Sequence, residues 1–575
     1  MNVESLFVIS VFVATIAGLI KFQHRPARVF GFTMVLLYAS GVVSADDLIS
    51  SMSNEGLLTL ILLMTCSLAL EKTRLLRTVA KLVIQEKYSG TWLRLFGLTT
   101  LTSAFLNNTA VVSTMLAPIR SNQYHFASKL LLPLSYAAIL GGTLTLVGTS
   151  TNLIVNSLVI GNDLEPLKFF DFTTVGICVV LVTGVVLWFS TRFLPERETK
   201  QESYKEYFID AKVQRGSPLI GKSIEKNGLR HLESLFLVEI IRKSGSIIPV
   251  APTEVIQEGD RLVFTGDVTK VMQLHQFEGL SIFADKNGLP LNNLTEVVIR
   301  PESTLISKTL KDAGFRALFD AGVVAIRRDG ERVSGKLGEV KLQAGDYLVL
   351  AVGNDFKSRH NLSKNFILLS GLEPDSMLRG KKEVLVVGGF ISSLLLSATG
   401  VLPLFKGMFL LLAALILSGT LSSREIVRRF PSDIWLIISS ALLLSIALTN
   451  TGVLDNLHEF QTQYLNNLTP VLGLIAIYVL TWLLTELVTN NAAAALIFPI
   501  AYSLAIGLDA NPLAFIMAVA FGASASFISP YGYQTNLMVY NAGRYQIADF
   551  VKIGLPVSLV YGVTAVSAII WVYGV

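Results

Sequence analysis

The sequence predicts a mainly α-helical polytopic membrane protein with inverted repeats and two re-entrant helical hairpins, interrupted by a central cytoplasmic α+β tandem domain. Three observations point there. Long apolar runs fill residues 1–195 and 381–575 but not 200–375. The two outer blocks share polar signatures at nearly equal spacing. The central block repeats itself: "SPLIGKSI" (217–224) returns as "STLISKTL" (303–310), 86 residues later.

The apolar runs come first. Of 575 residues, 52% are apolar and 15% charged, far from the balance of an ordinary soluble chain. Runs at 5–20, 28–43, 55–70, 172–190, 384–399, 433–449 and 553–574 approach or reach the roughly 20 residues a bilayer requires. The net charge of +5 sits mostly in short loops. That is the pattern of membrane topology, not of nucleic-acid binding. The opening "MNVES" has no basic residue, so residues 5–20 read as a retained first span and not a cleaved signal. Cys66 and Cys178 lie in apolar segments without metal or redox spacing, and they read as small core residues. No nucleophile–base constellation or metal cluster is evident, which argues against an enzyme.

Within the outer blocks, "FLNNTAVV" (105–112) and "LVTNNAAA" (487–494) place adjacent amides in greasy surroundings. Lipid cannot satisfy such groups. Aligning Asn108 with Asn490 puts Ser103 on Thr485, Asn107 on Thr489 and Ala110 on Ala492, and both stretches run on to a proline, Pro118 or Pro499. Downstream, "GTSTNL" (148–153) matches "GYQTNL" (532–537). Asn108 to Asn152 spans 44 residues and Asn490 to Asn536 spans 46. Two polar signatures at matched spacing predict a duplicated transporter core. Helix–helix hydrogen bonding within a bundle is the plainer alternative.

Loop charge gives the orientation. Lys21, Arg25 and Arg28 place 21–28 inside, 44–54 has acids but no Lys or Arg, and 71–94 is strongly basic. The segment 95–119 then has basic flanks on both sides, Arg94 before it and Arg120 and Lys129 after it. Twenty-five residues cannot cross twice, so a cytoplasm-opening re-entrant hairpin is expected, with Asn107, Asn108 and Thr109 at its tip. In the second half Lys381, Lys382, Arg424, Arg428 and Arg429 mark inside loops, whereas 451–468 and 508–511 lack basic residues. The hairpin tipped by Thr489, Asn490 and Asn491 should therefore open outward. Lys406 is an exception to the rule. Arg192 and Arg197 place the insert in the cytoplasm. Residues 71–87 read as an amphipathic segment with a solvated face at that surface, or as a hinge arm.

A broken helix exposes carbonyls at one end and N–H groups at the other. Carbonyls, hydroxyls and amide oxygens suit Na⁺, and helix N-termini suit an anion. The four motifs contain no Asp, Lys, Arg or His. Glu486 is the nearest carboxylate. It could orient the outer hairpin, carry a proton or anchor packing.

The central block is expected as two copies of a small α/β unit, 200–285 and 286–375. "EGDRLVF" (258–264) and "AGDYLVL" (344–350) repeat at the same 86-residue offset. Each copy reads as strand, helix, hairpin and a Gly-Asp turn into a last strand, with turn dipeptides Ser244-Gly245 and Asp329-Gly330. The Ser-x-Leu-Ile-x-Lys start and Gly-Asp-x-Leu-Val finish resemble the RCK C-terminal (TrkA-C type) domain. That resemblance implies dimerisation and a regulatory nucleotide as partner. A folded spacer without a ligand is the alternative, since no glycine-rich nucleotide fingerprint is present.

The membrane halves resemble the divalent anion–sodium symporter family, within the ion transporter superfamily that also holds citrate-transporter-like permeases. The carriers of the likeness are the triplets Asn107-Asn108-Thr109 and Thr489-Asn490-Asn491, where the family has Ser-Asn-Thr. The upstream hydroxyls Ser103 and Thr485 and the motifs Gly148–Asn152 and Gly532–Asn536 add to it. The resemblance implies a homodimer in the inner membrane, each protomer with a scaffold and a mobile transport domain working by alternating access. It implies one Na⁺ among Ser103, Asn107, Asn108 and Gly148, and another among Thr485, Thr489, Asn490 and Gly532. The anion would touch Asn108, Thr109, Asn490 and Asn491, faced by Thr151, Asn152, Thr535 and Asn536 on the unwound helices. The tip substitutions favour a compact tetrahedral oxyanion, and the branch with inserted units is associated with sulfate. The expectation is sodium-coupled uptake of a divalent anion, most simply sulfate, with at least two Na⁺. The alternatives are a dicarboxylate symporter, a sodium/proton or arsenite-type exchanger, and a membrane sensor with a vestigial transport core.

Overall fold

The structure is a computed structural model. It describes residues 3–453 and 469–575, apart from 23–24, 74, 121, 198–207, 230–231, 233–234, 243–244, 248, 267–273, 275–276, 283–293, 301–302, 329–330, 334–336, 354, 357–358, 360, 369–377 and 379. Ser244, the Asp329-Gly330 dipeptide and most of the expected outer loop 451–468 therefore fall outside the described residues.

The chain is a mainly helical polytopic membrane protein with small sheets at its centre. Among the described residues, seven helices are long and apolar enough to cross a membrane: Val3–Lys21, Ala45–Glu71 (two helices joined by a bend), Thr173–Phe193, Ser432–Asn450, Pro470–Leu487, Asn490–Gly507 and Ile547–Tyr573. Pro26–Ala39 and Leu404–Leu417 are shorter, 14 residues each, or about 21 Å at 1.5 Å per residue.

Packing sorts the helices into two bodies, each built from both halves. In one, Pro26–Ala39 lies along Ser432–Asn450, and Glu55–Glu71 along Leu404–Leu417. Polar contacts lock it: Trp435 Nε1 donates to the Met52 carbonyl (3.2 Å), and the Thr15 and Thr33 hydroxyls share a 2.7 Å hydrogen bond. In the other, Thr173–Ser190 lies along Ile547–Tyr573, and the hairpins and broken helices gather against them. The bodies meet where Ser150–Gly161 crosses Glu55–Glu71. A Cβ added to Gly56 would lie 2.7 Å from Ser157 Cα, so this crossing depends on small residues, as close helix contacts in membranes do.

Both hairpins are interrupted where the amides fall. Tyr88–Ser103 gives way to Asn108–Arg120 through a turn, and Pro470–Leu487 to Asn490–Gly507. Each second arm contains its proline, Pro118 or Pro499. The helix Leu75–Val83 packs on the first hairpin, with Ala80 and Val83 buried in the membrane core. This segment offers the hairpin an apolar face, which a reading as a solvated surface strip underrates.

The central residues form two five-stranded antiparallel sheets. The first contains β1 (Phe208–Val213), β2 (Leu235–Arg242), β3 (Gly245–Ile247), β4 (Arg261–Gly266) and β5 (Leu280–Ile282), in the order β3-β2-β4-β1-β5. The second contains β6 (Leu294–Ile299), β7 (Ala321–Arg328), β8 (Glu331–Arg332), β9 (Tyr347–Val352) and β10 (Phe366–Leu368), in the order β10-β6-β9-β7-β8. Read from its other edge, the second order is the first one repeated. The bulges repeat as well, at Leu237/Glu239 and Val323/Ala325. Each Gly-Asp turn needs glycine, with φ of +82° at Gly259 and +81° at Gly345. The buried aspartate beside each is pinned by an arginine: Arg242 to Asp260 at 2.9 Å, and Arg328 to Asp346 at 2.8 Å. The three-residue edge strands β5 and β10 follow the strand that the sequence reading takes as last. They are too short to show a periodicity of their own.

Candidate functional site

Each of the four polar motifs starts a helix after a break; the preceding helices end at Ser103, Gly142, Leu487 and Ser524. Helices begin at Asn108, Ser150, Asn490 and Gln534, all inside the motifs. Their N-termini form a chain of contacts across the two halves. Asn108 Nδ2 donates to Tyr533 Oη (2.7 Å), and Thr109 Oγ1 donates to Gln534 Oε1 (3.0 Å). The Thr149 hydroxyl lies 3.5 Å from the same phenol, and Ser150 Oγ donates to Asn491 Oδ1 (3.1 Å). Each hairpin tip thus touches the broken helix of the opposite half.

Around Asn108 the neighbours are oxygens. Ser103 Oγ lies 2.5 Å from its Oδ1. With the amide turned over, its nitrogen faces the carbonyls of Gly148 (3.1 Å) and Ala138 (3.3 Å), and its oxygen accepts from Tyr533. Gly148 fits because a Cβ there would lie 2.6 Å from the Gly142 carbonyl. The second half repeats the arrangement. Thr485 Oγ1 lies 2.9 Å from Asn490 Oδ1 and 2.8 Å from the Ala523 carbonyl. Gly532 approaches so closely that a Cβ would meet the Thr485 carbonyl at 3.2 Å, with Ser526 Oγ closer still. Ser526 Oγ is buried and without a protein partner. Both clusters are neutral and rich in oxygen, the donor set that a hard monovalent cation accepts.

Asn152 and Asn536 do a different job from the tip amides. Asn152 Nδ2 donates to the carbonyls of Gly142 (3.2 Å) and Thr145 (2.8 Å). Asn536 Nδ2 donates to those of Ser526 (2.9 Å) and Ser529 (3.4 Å). In both cases the acceptors lie ten and seven residues earlier. These amides hold the unwound linkers in shape, replacing helical hydrogen bonds lost at the break. Thr151 Oγ1 is buried without a partner, and Thr535 Oγ1 lies 2.8 Å from Ser135 Oγ. At the tips, Asn107 Oδ1 accepts from the Thr109 N–H (2.8 Å), and Thr489 Oγ1 accepts from the Ala492 N–H (3.4 Å). Both therefore act as caps.

Glu486 is fully engaged. Its carboxylate accepts from the backbone N–H groups of Phe527, Ile528 and Ser529, each at 2.9 Å. The carboxylate thereby satisfies three donors of the unwound segment that leads to Gly532. Sequence reasoning missed four neighbours of the site: Ser135, Ser150, Tyr533 and Gln534. Ser135 Oγ lies 2.7 Å from Asn536 Oδ1. Its signal was a hydroxyl beside Tyr136 in an otherwise apolar helix. Tyr533 and Gln534 sit inside the quoted "GYQTNL" but depart from its partner "GTSTNL", which drew attention to the shared letters only.

Comparison with known proteins gives the family. The family model described as citrate transporter matches residues 16–520. The chain belongs to the citrate transporter family. It is a multi-pass membrane transporter and not an enzyme. Among its relatives, a Chlamydomonas reinhardtii protein named "Putative sulfur deprivation response regulator" is 32% identical over 91% of this chain and 94% of its own length. An uncharacterized transporter of Synechocystis is 30% identical over 94% of this chain and 92% of its own length. A "Probable sodium/sulfate cotransporter 3" of C. reinhardtii is 33% identical over 64% of this chain, a match that covers 43% of that longer protein.

Proposed function

We propose that this transporter couples inward movement of at least two Na⁺ to uptake of one divalent oxyanion, sulfate above all, across the inner membrane. The observation that carries the reading is the chain of contacts Thr109–Gln534, Asn108–Tyr533 and Ser150–Asn491, which joins four helix N-termini at one place. N–H groups and macrodipoles directed at one point favour an anion. The side chains that form these contacts carry no formal charge, so a dianion there needs cations beside it. The two oxygen clusters around Asn108 and Asn490 would hold them, with Ser103, Gly148, Thr485 and Gly532 contributing. The phenol of Tyr533 and the amide of Gln534 occupy space at the first tip that a long dicarboxylate would need. A tetrahedral ion is compact enough to sit among them. The relative named as a sodium/sulfate cotransporter supports the same choice.

The stoichiometry follows from electrostatics. Membrane potential is worth about 2.3 kcal/mol per charge per 100 mV. A dianion entering a negative-inside cell is opposed by about twice that. Two Na⁺ cancel the term, and a third makes entry electrogenic. The central units belong on the cytoplasmic side, as the basic flanks at Arg120, Lys129, Arg192 and Arg197 indicate.

The test is uptake of labelled sulfate by the purified protein in vesicles, with and without an inward Na⁺ gradient. The expected result is sodium-dependent accumulation, competed better by small tetrahedral oxyanions than by succinate or citrate. Absence of sulfate uptake overturns the substrate. Dicarboxylate uptake in its place would make the chain a dicarboxylate symporter, and a sodium-driven pH change without anion movement would make it an exchanger.

A further inference from the structure

We propose that the transporter holds one anionic phospholipid in a cavity at the mouth of its first hairpin, with the lipid phosphate between Lys129 and Arg192. The cavity measures about 340 Å³. Both ends of the hairpin reach it: Tyr88 begins the first arm, and Tyr124, His125 and Phe126 follow the end of the second. The opposite wall is the turn at Thr191 and Arg192, which ends the long helix Thr173–Ser190. The protein's own bonds hold these walls in place. Tyr88 Oη donates to the Lys129 carbonyl (3.2 Å), and His125 Nε2 lies 2.7 Å from the Gln85 carbonyl. Asn122 Oδ1 accepts from the N–H groups of Tyr124 (3.0 Å) and His125 (2.7 Å). The Tyr88 ring stacks on Trp188, centroids 6.1 Å apart, and meets His125 edge-on at 5.6 Å. Aromatic walls with a few convergent polar groups are what bound small molecules occupy.

Charge and shape name the occupant. Lys129 Nζ lies 3.4 Å from the Arg192 carbonyl and 3.5 Å from Glu196 Oε1. The Glu196 side chain is 63% exposed, so this pair is weak and a phosphate can displace the carboxylate. The Arg192 guanidinium lies 5.5 Å from the Phe189 ring centroid. Among the described residues no carboxylate is within ion-pair distance of it. Below it, Ile177, Leu181, Val185 and Phe189 are exposed at intervals of four along Thr173–Ser190, which puts them on one face. Twelve residues at 1.5 Å each make this apolar stripe about 18 Å long, and one leaflet of hydrocarbon is about 15 Å deep. An acyl chain can therefore lie along the stripe while its headgroup enters the cavity. Exposed Phe126 and Phe189 stand at the boundary, the level where aromatic rings anchor in a membrane. Basic pockets between helices on the face that the loops mark as cytoplasmic suit anionic headgroups. A free oxyanion would use the two cations and leave the stripe idle. A choline headgroup would bring a third cation against Lys129 and Arg192.

The experiment is native mass spectrometry of the full chain in detergent, titrated with phosphatidylglycerol or phosphatidylcholine. The parent should retain one phosphatidylglycerol per chain and bind phosphatidylcholine at least about tenfold more weakly, the worth of roughly one basic side chain near an anionic lipid. Lys129→Ala with Arg192→Ala should weaken phosphatidylglycerol binding about 30-fold, on the scale of two such side chains. Lys21→Ala with Arg28→Ala removes the same charge from exposed positions on the other body and should bind as the parent does. Millimolar inorganic phosphate should leave the lipid in place. Equal binding of the two lipids by the parent, parent-like binding in the cavity variant, or an equal loss in the control variant overturns the site. Displacement by inorganic phosphate overturns the lipid and makes the cavity a site for a free oxyanion. The comparison of two lipids on the parent needs no variant, so it stands even where a variant folds poorly. None of these measurements involves transport, and the lipid site therefore stands or falls apart from the proposed substrate.

Discussion

Both tip amides are held inside their own hairpins, Asn108 by Ser103 and Asn490 by Thr485, but Asn108 also leans on a phenol from the opposite half. The linker facing the second tip is gripped by the Glu486 carboxylate. At the equivalent position of the first half stands Ala104, whose carbonyl accepts from the Thr145 hydroxyl at 2.5 Å. One hydroxyl therefore does in the first half what a charged side chain and three N–H bonds do in the second. Duplication preserved the amides at the tips and the staples Asn152 and Asn536, while the bracing around them diverged. The ion-facing chemistry should thus respond alike in both halves, and the supports should not.

The largest effect tests the shared part. Asn108→Ala and Asn490→Ala each remove an amide that lies among carbonyl and hydroxyl oxygens. Sodium-stimulated sulfate uptake should fall at least about 100-fold in both, a loss of about 2.7 kcal/mol. Melting temperature should change by no more than the roughly 1 kcal/mol of each lost hydrogen bond, because the buried amides lie at helix breaks. Retained uptake in either variant would break the equivalence of the halves and count heavily against the site.

The next effect should be one-sided. Glu486→Gln keeps the shape but replaces one acceptor oxygen with an N–H₂ group that faces backbone donors. Losing charge-assisted bonds and leaving donors unpaired should cost about 2–4 kcal/mol, visible as a lower midpoint in denaturation of the purified protein. Uptake should fall with the second sodium's affinity, so the sodium activation curve should shift right and lose steepness. An unchanged melting point and sodium curve would show that the three N–H bonds do no bracing.

Much of this was legible in the sequence, and the reason is physical. Hydrocarbon makes paired amides conspicuous, so Asn107, Asn108, Asn490 and Asn491 stand out against Leu, Val and Ala. Glycine at 148 and 532 marks unwound linkers that the structure contains, whereas Pro118 and Pro499 lie inside continuous second arms. The offset of 86 residues gave the repeated sheets, because the Gly-Asp turn needs both a positive φ and a buried carboxylate. What escaped were contacts between distant segments. Nothing local in "GYQTNL" says that its tyrosine reaches the other half, or that Ser135 abuts Asn536 from 401 residues away. The roles of Asn152 and Asn536 were equally hidden, since an amide that staples a linker and one that faces a ligand look alike in a motif.

Tyr533 offers a finer probe of the asymmetry. Tyr533→Phe removes one hydrogen bond to Asn108 and keeps the ring. The net cost to stability should be about 1 kcal/mol. Half-saturating sulfate should rise severalfold while maximal uptake stays near the parent's, because the phenol positions the first tip and has no counterpart at the second. Thr149 holds the corresponding place in the first half, and Thr149→Val should change half-saturation less. Equal effects from the two substitutions would mean that the phenol is only packing.

The smallest effect is expected at the two caps. Asn107 and Thr489 each accept a backbone N–H at the start of a second arm. Replacing such a residue by alanine costs about 1 kcal/mol. The position matters more than the magnitude, since both caps sit beside the oxygen clusters. If they only cap, Asn107→Ala and Thr489→Ala lower stability by similar small amounts and leave half-saturating sodium unchanged. If they also contribute an oxygen to a bound Na⁺, half-saturating sodium rises by about tenfold, the scale on which altered surroundings weaken a metal site. Both side-chain oxygens are engaged as caps and the oxygen clusters centre on Asn108 and Asn490, so the expected outcome is the first, with similar small losses for the two variants. Sodium activation curves measured at fixed sulfate decide between the two, and a shift in only one variant would place the difference between the halves in the ion sites themselves and not only in their supports.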